Sequence, residues 1–75
     1  MCIAVPGEII EVFPARAKVT MMGVETIVNI QMIENPKIGE FVLVHAGCAI
    51  ERIDKENYDD LFVIFKQLLD EVEKV

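Results

Sequence analysis

The apolar residues of this chain change their period once, at Asp54, and that change dictates strands first and a helix last. Before it, Ala15, Ala17, Val19 and Met21 alternate with Arg16, Lys18 and Thr20, and Val24, Thr26, Val28 and Ile30 continue the alternation. Period two marks half-buried strands. Met22-Gly23 between the two runs predicts a tight turn, hence a hairpin. Ile3-Ala4-Val5 reads as an extended stretch broken at Pro6-Gly7, because proline fixes φ and lacks an N–H; Glu8 to Phe13 then resumes it. Glu34-Asn35-Pro36-Lys37 and Gly39 predict a longer loop. Phe41 to Val44 is a continuous apolar run, as in a central strand buried on both faces. Ala46-Gly47 breaks it, and Cys48 to Ile53 reads as a last strand. After Asp54, Tyr58, Leu61, Phe62, Phe65, Leu68, Leu69 and Val72 recur as one stripe of an α-helix, with Val63 nearly opposite. Asp54 suits the N-cap, and Glu56 the positive end of the helix dipole.

Several short antiparallel strands in so few residues predict a mainly β fold, a small OB-like five-stranded β-barrel, since closure removes exposed edges. One C-terminal α-helix would lay its stripe on a barrel face or mouth. The 75 residues are expected to form a single domain, with the barrel and an N-terminal Cys arm over 1–53 and the helix over 54–74. A chain of this size buries only roughly 60–65% of its unfolded surface, so the core is marginal. An apolar share of 53% nevertheless excludes a disordered chain.

The net charge of −6 argues against phosphate-backbone binding, which needs clustered Lys and Arg. No apolar run approaches the ~20 residues of a membrane span. No basic segment precedes a hydrophobic one in the manner of a signal peptide. The expected setting is therefore cytoplasmic, away from membranes, where thiols stay reduced.

Three residues could carry soft-metal or thiol chemistry: Cys2, His45 and Cys48. Chain ends fray and structural cysteines prefer burial, so Cys2 is an odd packing residue. It reads either as a thiol offered to something or as a partly buried start of a strand. Met1 precedes a small side chain and is expected to be trimmed. His45 ends an apolar strand beside a glycine break. It reads either as a satisfied strand-end histidine or as a ligand, a proton acceptor for Cys2, or a partner contact. Cys48 reads first as a small apolar core residue; a second thiol near Cys2, or half of a reversible disulfide with it, are the alternatives. Two ligands are too few for a closed zinc site, which wants four. An incomplete set suits a carrier that holds a metal briefly and lets a partner or small molecules fill the other positions; thiolate and imidazole are both sound iron ligands. There is no glycine-rich phosphate loop, no second histidine and no catalytic constellation, so no enzyme is expected.

The heptad Met1-Cys2-Ile3-Ala4-Val5-Pro6-Gly7 resembles the N-terminal signature of the HypC/HupF/HybG hydrogenase-maturation chaperones. Gly39-Glu40-Phe41-Val42-Leu43-Val44-His45-Ala46-Gly47-Cys48-Ala49-Ile50 is similar to a second family stretch, except that Cys48 stands where the family usually has an aromatic. The resemblance spans the whole chain and implies an OB-like barrel with a C-terminal helix. It further implies binding to a HypD-type partner, transient handling of iron as an Fe(CN)2CO unit, and its delivery to the large-subunit precursor of a nickel–iron hydrogenase. On that reading Cys2 and His45 are iron ligands. Cys2, Ile3, Ala4, Val5, Pro6, Gly7 and His45 meet partners, and Cys48 is a possible second thiol. Two other classes compete. An OB-type module for single-stranded nucleic acid would need a basic groove with exposed aromatics. A thiol redox enzyme would need a close Cys pair at a helix N-terminus.

Overall fold

The computed structural model describes residues 4–73, with side chains placed through Leu69. Five strands, β1 (Val5–Phe13), β2 (Arg16–Met21), β3 (Val24–Asn29), β4 (Phe41–His45) and β5 (Cys48–Ile53), precede one helix, α1 (Lys55–Glu73). The strands close into a barrel in the order β1-β2-β3-β5-β4. All the pairings are antiparallel except β3 with β5, which meet in parallel at a single pair, Asn29 and Cys48.

The core is the inner face of these alternations. Ile9, Ala17, Val19, Val28, Val42, Val44 and Ala49 point inward, joined by Ile30 and Ile33 from the loop between β3 and β4. That loop must pass β5 to reach β4, and Arg52 of β5 ties it down. Its Nη2 donates to the carbonyls of Glu34 and Asn35, and its guanidinium pairs with the Glu40 carboxylate at 2.8 Å. Glu40 also accepts the Lys37 N–H at 2.7 Å, so one carboxylate closes the loop on itself and onto the sheet.

Three expectations change. Pro6-Gly7 does not break the first strand: β1 runs through it, with Pro6 opposite Leu43 and Gly7 opposite Val42. Proline is tolerated because β1 has only β4 beside it at that point, the ladder to β2 beginning at Glu8. Gly7 is there for space, since a Cβ would stand 3.0 Å from Met21 Cγ and 3.4 Å from the Thr20 carbonyl oxygen. Second, β4 is not buried on both faces: Val42 and Val44 are buried, while Phe41 and Leu43 face outward and are only partly covered.

Third, the helix lays only its first half on the barrel. Asp54 caps it, its Oδ1 accepting the Asn57 N–H at 2.8 Å. Tyr58 stacks on Phe41 with ring centroids 4.3 Å apart, and Phe62 follows at 5.9 Å from Tyr58. Tyr58, Leu61, Phe62 and Phe65 are partly covered, whereas Leu68 and Leu69 stay 54% and 48% exposed. Val72, the last member of the stripe, lies outside the described side chains. No described helix is long and apolar enough to cross a membrane.

Candidate functional site

His45 and Cys48 owe their placement to a turn. Ala46 and Gly47 have φ of 52° and 78°, and positive φ at both central residues is the type I′ geometry that matches the twist of a two-residue hairpin. An L-residue such as Ala46 enters this region at a cost of roughly 1–2 kcal/mol. The turn makes His45 and Cys48 direct register partners. Their neighbours Val44 and Ala49 are also partners and are both buried in the core. Alternation therefore puts His45 and Cys48 together on the outer face, each partly exposed.

The tip is held from two sides. Cys48 is the point where β5 meets β3, opposite Asn29, and the Asn29 N–H donates to the Gly47 carbonyl at 2.9 Å. Asn29 Oδ1 in turn accepts the Gln31 N–H at 2.8 Å, ending β3 in a turn. On the β4 side, Val44 pairs with Val5. Ala4, one residue earlier, is therefore next in line to His45.

Of the predicted site residues, the fold brings His45, Cys48, Val5 and Ala4 to one end of the barrel. Cys2 and Ile3 lie outside the described residues. Pro6 and Gly7 are buried within β1, so what they supply is the seating of that strand rather than exposed side-chain surface. Cys48 corrects its first reading: it is a free thiol at a hairpin tip, not a core residue. Asn29 was missed by sequence reasoning, because between Val28 and Ile30 it reads as an ordinary polar member of the alternating run. Arg52 was missed too, and nothing local marks it, because its partners are 12 to 18 residues away. At the other end of the barrel, burial pushes the Tyr58 phenol pKa up, with smaller contributions from Glu8 and Asp59.

A sequence model of the HupF/HypC family matches residues 1–65, most of the chain. The chain belongs to the HupF/HypC family. Among similar proteins, the hydrogenase maturation factor HypC of Rhizobium leguminosarum bv. viciae is 34% identical over 68 residues, covering 89% of this chain and 91% of that one. HypC of Escherichia coli K12 is 33% identical over 76 residues, covering 93% and 84% respectively. HypC of Synechocystis is 31% identical over 62 residues, covering 75% and 82%. The HupF/HypC match ends within α1, at the point where the apolar stripe begins to leave the barrel.

Proposed function

We propose that this chain is a non-enzymatic maturation chaperone for a nickel–iron hydrogenase, acting in the cytoplasm. With a HypD-type partner it holds an iron unit carrying cyanide and carbon monoxide, Fe(CN)2CO, and passes it to the large-subunit precursor. The observation that carries this reading is His45 on a tethered hairpin tip, with Ala4, two residues after Cys2 in sequence, next in line beside it. Thiolate and imidazole are both sound ligands for iron(II). A protein site short of a full set leaves positions for the iron's own diatomic ligands and for the receiving protein, which is what a carrier needs. The iron is cargo here, not a resident cofactor. The relatives named as hydrogenase maturation factors support the same role. Net charge −6 gives single-stranded nucleic acid an unfavourable field.

The test is anaerobic co-purification of the tagged chain from its own cells, with mass spectrometry for partners and infrared spectra for metal-bound CO and CN stretches. The expected result is an iron-bearing complex with CO and CN bands. Cys2→Ser should lose both bands and hydrogenase maturation while shifting stability by no more than about 1 kcal/mol. Normal maturation by that variant, or a chain that binds neither iron-bearing partner nor precursor, would refute the reading.

A further inference from the structure

The outer face of the β4–β5 hairpin holds two soft donors side by side. Residues directly opposite in an antiparallel pair have Cβ atoms about 5 Å apart on one face of the sheet. His45 and Cys48 are such a pair, closed by a two-residue turn. A thiolate and an imidazole reach a common divalent ion at about 2.3 and 2.0 Å. Two side chains rooted about 5 Å apart can meet an ion at those distances without moving the backbone. The backbone beneath them is fixed by the Asn29–Gly47 hydrogen bond and by the β3–β5 contact at Cys48 itself.

We propose that Cys48 is a metal ligand, forming with His45 a two-residue clip for a thiophilic divalent cation. Cys48 is not a member of the core: its backbone neighbour Ala49 fills that place, while Cys48 lies on the other face of the strand with partial solvent access. The donor set selects iron(II), zinc(II) or cobalt(II) over magnesium and calcium, which want oxygen ligands. Binding converts the Cys48 thiol to thiolate and releases its proton to solvent, so affinity rises with pH. Among the described residues no third His, Cys, Asp or Glu joins the pair, so the clip supplies two positions and leaves the others to water or an incoming ligand. That incompleteness suits release as much as capture. The clip adds one sulfur to the site proposed above and rests on that reading only for the cargo being iron.

Cobalt(II) alone tests the pair without any partner. The full chain is titrated anaerobically in a non-chelating reductant, following the sulfur-to-cobalt charge-transfer band, for wild type, Cys48→Ala, His45→Ala, Cys2→Ser and the double variant Cys2→Ser/Cys48→Ala. Cys2→Ser should keep a sulfur-to-cobalt band and the double variant should lose it. Cys48→Ala and His45→Ala should each weaken binding about tenfold. Circular dichroism melts accompany each titration, and the isosteric Cys48→Ser is read instead if the alanine variant melts early. A Cys48 variant that binds cobalt as wild type does, or loss of the whole band in Cys2→Ser, overturns the clip. Either result leaves the co-purification experiment untouched, so the two proposals fail separately.

Discussion

The barrel and the helix use similar residues to very different effect. In the barrel, apolar side chains find one another across a closed sheet, and Ile9, Ala17, Val19, Val42 and Ala49 reach 0% exposure. In the helix, an equally regular apolar stripe finds too little surface, and no described side chain becomes fully buried. The aromatic stack of Phe41, Tyr58 and Phe62 secures the first turns, after which Ile64, Leu68 and Leu69 remain about half exposed. Amphipathic patterning specifies which face wants cover. The amount of cover depends on how far the partner surface extends, and this barrel is shorter than its helix.

The largest effect should come from the barrel. Ile9→Ala empties the closed core and is expected to cost about 3 kcal/mol or more, read as a lower midpoint in urea. A cost under about 1 kcal/mol would mean the barrel is looser than its burial implies. Next comes the junction. Tyr58→Ala removes the ring between Phe41 and Phe62, and the expected loss is about 1–2 kcal/mol.

Tyr58 also offers a pH readout, since it is the only tyrosine. Its folded-state pKa lies above the ordinary 10.0, chiefly through burial. The corresponding stability is whole below that value and is lost as pH rises through the folded-state pKa. Phenolate absorbance should therefore titrate later in the folded chain than in urea. Coincident curves would detach the helix from the barrel. The smallest effect belongs to the distal stripe, where Leu68→Gln should change stability by no more than about 0.5 kcal/mol. A loss comparable to Ile9→Ala would mean that Leu68 is covered in solution and that the contrast between the two regions is wrong.

Much of this architecture was legible beforehand, for identifiable reasons. Alternation survives through β2 and the second half of β3, where one face lies on the core, but its first and central members fail: Ala15 sits in the β1–β2 turn with φ of 62° and Val24, beside the β2–β3 turn, is 62% exposed. The Asp54 cap was readable because capping is local. Pro6-Gly7 misled because a proline's effect depends on whether a neighbour strand lies on the side of its missing N–H. Arg52 was invisible because its carbonyl partners sit in a loop that only the strand order brings near. In the candidate site, Cys2 and His45 were singled out as donors, while the neighbour relation of His45 and Cys48 was not. The break at Ala46-Gly47 could have scrambled facing, and only positive φ at both residues aligned the pair.

By itself, the sequence of this chain determined five short strands and a capped amphipathic helix, because period and capping are properties of neighbours along the chain. Its opening heptad and the stretch around His45 also marked the HupF/HypC family. The tertiary structure alone decided that β1 passes unbroken through Pro6-Gly7, that the helix outruns its barrel, and that a thiol and an imidazole share one face of a pinned hairpin. Each of these depends on strand register and on the extent of a packed surface, which arise only when distant segments meet.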